Sequence, residues 1–213
     1  MTRIGVLGSG DVGKTLAQGL KSHGYDVRIG SRTAGKLDAF TVASGIANGD
    51  FASVAAWGEG LVLAVAGRAA VEALDAAGPE NLKGKWVMDA TNPIEVSSPE
   101  DGVLRFFTGP NESLMEQLQA TFPEAHFVKA FSSVGNAKMV NPSYAGGPPT
   151  MFYCGNDAGA KHAVAKIIGE FGWEAWDMGT AKAARAIEPL CMLWCIPGFR
   201  EHSWTHAFKM LRG

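Results

Sequence analysis

The sequence predicts an α/β protein built on a doubly wound, mostly parallel sheet with a C-terminal helical extension. Three observations carry this reading. Short apolar segments alternate with segments of helical periodicity as far as residue 180, the signature of repeated strand–helix–strand units. The run "LVLAVAG" at residues 61–67 is apolar throughout, as a strand covered on both faces should be. A glycine-rich turn, "GSGDVGKT" at residues 8–15, stands between the first apolar segment and the first helical one, where such folds hold phosphate on backbone N–H groups.

The elements follow in order. "RIGVLG" is a first strand. The next segment, "VGKTLAQGLKSHG", has helical spacing through Val12, Leu16, Ala17 and Leu20, and Gly24 stops it. "YDVRIGS" is the second strand, and a polar helix separates it from "LVLAVAG". "AAVEALDAAG" is helical up to Gly78-Pro79, and "KWVMDATNP" is a strand running into a proline loop. Residues 94–110 are polar and punctuated by Gly and Pro, a long surface loop of the kind that is often functional. Ser113 and Glu116 form a capping box opening the helix "SLMEQLQATF". The strands "HFVKAF" and "PTMFYCG", the helix "DAGAKHAVAKIIGEFG" and the strand "WEAWDMG" complete the alternation. From Thr180 the chain reads as helical to its end, broken at Pro189 and again at Pro197-Gly198.

In such sheets ligands lie beyond the carboxyl ends of the strands. That rule gathers Gly8 to Gly13, Gly30 to Arg32, Ala66-Gly67, Ala90 to Pro93 and Phe131 to Asn136 around one crevice. The 213 residues fit one domain, 1–213, with 180–213 as an extension that closes the site or forms a subunit interface. At 46% hydrophobic and 19% charged residues, an ordinary packed core is expected. A net charge of −2 without a basic stripe argues against a nucleic-acid partner. The start reads as a strand and not as a signal peptide, and no apolar run approaches the roughly 20 residues of a membrane helix. The expected location is the cytoplasm, with no membrane partner. Cys154, Cys191 and Cys195 lack a C-x-x-C and read as buried thiols, the last two on one helix face.

The turn itself satisfies two patterns. Gly8, Gly10 and Gly13 fit G-x-G-x-x-G, the dinucleotide turn, while Gly8, Gly13, Lys14 and Thr15 fit the loop of nucleotide hydrolases, for which Asp89 would help hold magnesium. The stretch "VRIGSR" favours the dinucleotide. An NAD protein usually carries a carboxylate beside the adenosine ribose, about 20 residues beyond the turn. This chain has Gly30, Ser31 and Arg32 there, with Lys36 four residues on. Gly30 leaves room, Ser31 can donate one hydrogen bond, and Arg32 offers a planar fork to phosphate oxygens. That set suits NADP. In the turn, Gly8 makes the tight bend, Gly10 admits the pyrophosphate and Gly13 lets helix and strand pack closely.

These blocks carry a resemblance. "GSGDVGKT", "VRIGSR", "LVLAVAG", "KWVMDATNPI", "FVKAFSSVGNAKM", "TMFYCGND" and "ARAIEPLCMLW", in this order, resemble the NADPH-dependent deazaflavin (coenzyme F-420) reductase family of the NADP oxidoreductase superfamily. The N-terminal half is also similar to the cytoplasmic NADPH domain of the six-transmembrane ferric reductases. The resemblance implies a Rossmann-type fold with NADP on Gly8, Ser9, Gly10, Asp11, Val12 and Gly13. It puts the 2′-phosphate on Ser31 and Arg32, with Lys36 as a second cation. Ala66 and Gly67 lie beside the cofactor, and Ala90, Thr91, Asn92 and Pro93 near the nicotinamide. A deazaflavin or flavin acceptor would stack on the nicotinamide in a pocket closed by the segment after Phe131 and by the C-terminal helices, with Ser132, Asn136 and Ala137 in contact with it. Family members often carry His or Asn at Ser132, and an aromatic or Pro-Trp pair near Ala66-Gly67. These departures point to a larger pocket or a different acceptor.

Hydride transfer between stacked rings needs closeness and orientation, not a nucleophile. No carboxylate dyad or Ser-His-Asp set can be assembled, and no catalytic side chain is assigned. The expected function is therefore hydride transfer between NADP(H) and a small-molecule acceptor in a homodimer. An NADPH-binding sensor without turnover is the alternative, and a phosphate-loop hydrolase is the third reading. His202 and His206, four apart, would share a helix face as a metal pair or a surface pair, and no metal site is assigned. Met192, Trp194, Phe199, Trp204 and Phe208 read either as a packing face or as an apolar lid.

Overall fold

The computed structural model describes residues 1–212. The chain runs β1 (Arg3–Leu7), α1 (Asp11–Ser22), β2 (Asp26–Gly30), α2 (Asp38–Ser44), β3 (Ala47–Gly49), α3 (Phe51–Trp57), β4 (Gly60–Leu63), α4 (Ala70–Ala77), α5 (Pro79–Leu82) and β5 (Trp86–Asp89). It continues α6 (Leu114–Thr121), β6 (His126–Lys129), β7 (Thr150–Gly155), α7 (Ala158–Glu170), β8 (Glu174–Asp177), α8 (Ala184–Ile187) and α9 (Leu190–Glu201). All eight strands join one sheet in the order β3-β2-β1-β4-β5-β6-β7-β8. Every pairing is parallel except β6 with β7. The order reverses direction between β1 and β4, the switch point at which a crevice opens in doubly wound sheets.

Strand alternation divides the core between two faces. Ile4, Val6, Val62, Met88 and Val128 point to one side, where Leu16, Ala17 and Leu20 of α1 and Val164, Ile167 and Ile168 of α7 cover them. Leu7, Leu61, Leu63, Val87 and Phe127 point to the other, beneath Phe51 and Val54 of α3, Leu74 of α4, Met115 and Leu118 of α6 and Ile187 of α8. Helices on both faces are what the nearly continuous apolar strands require. The helix starts are chemically marked. The Asp50 carboxylate accepts from Ser53 N at 2.7 Å, Asp157 from Ala160 N at 2.7 Å, and the Ser113 hydroxyl from Glu116 N at 3.2 Å, as N-caps do.

Four features depart from the sequence expectations. The span between β2 and β4 holds α2, a three-residue β3 and α3, not a single polar helix. The C-terminal segment is not helical to its end, because α9 stops at Glu201, and Pro197-Gly198 does not break it. Gly198 lies against the Trp204 ring, which any Cβ there would overlap, and the helix carries Pro197 in its interior, where proline ordinarily costs roughly 3 kcal/mol. His202 caps α9 in a left-handed conformation with φ 55°, so His202 and His206 do not share a helix face. The imidazole of His206 stacks on Trp194 with centroids 5.1 Å apart. The loop at 94–110 is pinned by the bridges Ile94–Phe106 and Glu100–Val103. It places Leu104 in a small third core with Cys191, Trp194 and Cys195.

Candidate functional site: the crevice at the strand carboxyl ends

The five sequence-predicted loops lie together at the carboxyl ends of the parallel strands. Each follows a parallel strand, and hydrogen bonds step across them: Gly8 N to Gly30 O at 3.3 Å, Ala64 N to Leu7 O at 2.9 Å, Ala90 N to Leu63 O at 3.1 Å and Ala130 N to Asp89 O at 3.1 Å. At the switch point a cavity of about 260 Å³ is lined by Gly8, Ser9, Gly10, Ser31, Arg32, Lys36 and Ala66, all predicted. Thr33, Phe51, Val65 and Arg68 also line it and were not predicted. Asp11, Val12 and Gly13 begin α1 behind the turn, and the Ala90–Pro93 turn stands outside this cavity's walls.

The three glycines separate by role. Gly8 has φ 143° and lies on the Ala64 backbone, and a Cβ on Gly13 would overlap the Gly8 carbonyl oxygen. Neither position tolerates a side chain in the folded protein. Around Gly10 a Cβ would meet nothing within 4 Å, so the open space there is available to a ligand. Backbone N–H groups at the start of the 12-residue α1 point toward it.

The wall of this cavity beside the loop after β2 is cationic: Arg32, Lys36 and Arg68 line it together with the hydroxyl residues Ser31 and Thr33 and, among the described residues, no carboxylate. Arg32 Nη1 is 2.7 Å from Glu72 Oε1, a pair at the surface with both side chains more than half exposed. Arg68 directly follows Gly67 in "AVAGR", a cation just beyond a buried strand. That placement was the available signal for it.

Asp89 does not serve a phosphate loop. It is fully buried, and its Oδ1 accepts from Thr91 N at 2.9 Å and Thr91 Oγ1 at 2.6 Å. Its Oδ2 is 2.7 Å from Lys129 Nζ. Lys129 also reaches Glu188 Oε1 at 2.9 Å and donates to Thr91 O at 2.9 Å. Glu188 in turn accepts from Leu114 N and Met115 N, at 2.9 and 3.0 Å. Burial works against the Lys129 ammonium, but Asp89 and Glu188 outweigh it and hold its pKa above the ordinary lysine value. The Thr91 side chain is thus turned inward, backing the Ala90–Pro93 turn instead of facing a ligand. Lys129 and Glu188 were missed in the sequence, although a lysine inside the apolar strand "HFVKAF" demands buried partners.

Where β6 ends, Phe131 adopts φ 58° while fully packed against Phe171 and Trp173, a strained backbone of the kind that gathers at functional sites. This bend brings Ser132 to Asn92, whose Nδ2 donates to Ser132 O at 2.7 Å. Asn92 Oδ1 and Ser132 Oγ are buried with no hydrogen-bond partner among the described residues, two unsatisfied polar atoms at the junction of the turns after β5 and β6. Asn136 and Ala137 begin a short 3₁₀ turn after Gly135, which lies against Trp194.

The thiols are structural. All three are buried. Burial pushes the Cys154 thiol up to about 12, and the Cys191 thiol is raised by its hydrogen bond to Cys195 and by burial. No group of three or more His, Cys, Asp or Glu able to hold a metal occurs among the described residues. No helix among them is long and apolar enough to cross a membrane.

A doubly wound sheet with a glycine turn at its switch point and cations on the neighbouring loop is the architecture of a Rossmann-type dinucleotide-binding fold. Residues 3–93 match the family described as NADP oxidoreductase, coenzyme F420-dependent. A candidate F420-dependent NADP reductase from Arthrobacter sp. FB24 is 34% identical, with a TM-score of 0.91 over 98% of this chain and 99% of that one. The chain belongs to this NADP oxidoreductase family. Metalloreductase STEAP3 of Rattus norvegicus is 29% identical over 203 residues, 92% of this chain but 38% of that protein, so the chain spans well under half of that relative. A reductive aminase from Aspergillus terreus, solved with NADPH and ethyl-5-oxohexanoate, shares the fold at 18% identity (TM-score 0.69, covering 95% of this chain and 63% of that one).

Proposed function

We propose that this NADP oxidoreductase transfers a hydride between NADP(H) and a deazaflavin or flavin-type acceptor. The observation that carries the cofactor half is the cavity wall where Arg32, Lys36 and Arg68 gather beside Ser31. Ser31 and Arg32 take the 2′-phosphate, with Lys36 beside them. Ser9, Gly10, Asp11, Val12 and Gly13 carry the pyrophosphate at the start of α1, and Gly8 closes the bend. Ala66, Gly67, Ala90, Asn92 and Pro93 border the nicotinamide, with Thr91 holding the turn from behind. Bound NADPH supplies the hydride. The chain supplies position, which is what transfer between stacked rings requires.

The acceptor half rests on Ser132, Asn136 and Ala137, on the unpartnered Ser132 hydroxyl, and on family membership. Residues 180–213 form the extension of a single domain, and the working form is a homodimer in the cytoplasm. Leu193 and Phe199, exposed on α9, support pairing through that extension.

Fluorescence titration tests the cofactor assignment. NADPH should bind well above NADH, and Arg32→Ala should weaken NADPH about tenfold, the loss of one exposed charge-assisted contact, while sparing NADH. Equal affinities for the two cofactors would sink the assignment. The acceptor is tested by following NADPH oxidation with deazaflavin, flavin, quinone and ferric compounds in turn. Turnover with none of them would favour an NADPH-binding module without catalysis.

A further inference from the structure

Arg32 and Glu72 form an exposed ion pair beside the cavity. Both side chains are more than half exposed, at 53% and 68%, and their 2.7 Å contact joins a loop after β2 to the first turn of α4. Arg32 lines the cationic cavity, and Glu72 does not. Arg68, one helical turn before Glu72, lines it as well. A carboxylate outside the cavity's lining therefore engages Arg32, which is part of that lining.

We infer that Glu72 is a specificity-determining counter-ion: it occupies Arg32 when no 2′-phosphate is present and opposes the phosphate when one arrives. The inference rests on the assignment of Arg32 to that phosphate. A phosphate reaching Arg32 either breaks the pair or shares the guanidinium with a nearby negative charge. Both raise the free energy of the NADPH complex. NADH brings no phosphate, leaves the pair intact and meets neither cost. Glu72 thus narrows the preference for NADPH and eases departure of the phosphorylated cofactor, a useful property where product release limits turnover.

The test is titration of NADPH and NADH against the wild type, Glu72→Gln, Arg32→Ala and the double variant at low salt. Glu72→Gln should tighten NADPH about threefold, the scale of an exposed ion pair, and leave NADH unchanged. The gain should vanish in the Arg32→Ala background, because the coupling runs through Arg32, and should fade in about 1 M salt, where the screening length is about 3 Å. Overturning results are a Glu72→Gln variant that tightens both cofactors alike, one that leaves NADPH unchanged, or a gain that persists without Arg32. Equal binding of NADPH and NADH by the wild type would overturn the phosphate assignment and this inference together. A clear wild-type preference with no Glu72→Gln gain would overturn this inference alone.

Discussion

Replacing Lys129 by Met tests the buried ionic cluster behind the Ala90–Pro93 turn. Methionine has a similar volume, so packing changes little, but three contacts go at once: Asp89 at 2.7 Å, Glu188 at 2.9 Å and the Thr91 carbonyl at 2.9 Å. All three ionic side chains are 0–1% exposed, so water cannot take over. Removing one partner of a buried pair typically costs about 3–5 kcal/mol, a large share of the roughly 5–15 kcal/mol that holds a domain folded. With a urea slope of about 2.5 kcal/mol/M for a chain this size, a 4 kcal/mol loss moves the midpoint down by about 1.5 M. Tryptophan fluorescence follows the transition, since the chain has six Trp.

In the variant, Asp89 and Glu188 are left buried without their cation. A deficit below about 1 kcal/mol would refute the electrostatic account of the cluster.

Two further predictions concern the turn and the acid limb. Gly13→Ala drives a Cβ into the Gly8 carbonyl and should cost about 1–3 kcal/mol along with NADPH binding, whereas Gly10→Ala, with open space around it, should keep the melting temperature and weaken NADPH alone; thermal melts and titration separate the two. Glu116 is held below its ordinary pKa of 4.5 chiefly by its hydrogen bonds to Arg185. A depressed carboxylate stabilises above its unfolded pKa and loses that contribution as pH falls through the folded one. Glu116→Gln should therefore flatten part of the stability slope below about pH 4.5 in acid-unfolding curves.

What could be read in the sequence was whatever repeats locally. β1, α1 and β2 carry clean periodicity and a glycine stop, and the loops follow from the rule that ligands sit at strand carboxyl ends. β3 escaped because "ANG" is three residues long with no buried apolar position, and α3 because seven residues barely span two helical turns. Proline and glycine at 197–198 read as a break, yet the Trp204 ring makes that pair a packing surface, a tertiary fact invisible to local rules. The same holds for Lys129, Asp89 and Glu188, separated by 40 and 59 residues yet joined in one cluster. Arg68 was within reach of local reading, and Glu72 was not, because only the fold brings α4 beside the loop after β2.

The two ends of the sheet bear on how the protein meets other molecules. β3 offers three residues of edge and closes on Gly49. β8 exposes Glu174 and Asp177, which pair with Lys209 and Lys161, and Arg212 lies over Trp176 beside them. Short, charged and covered edges give an incoming strand little to hydrogen-bond. The sheet thereby resists growth by strand addition, which leaves helices and loops as the surfaces it presents to other molecules.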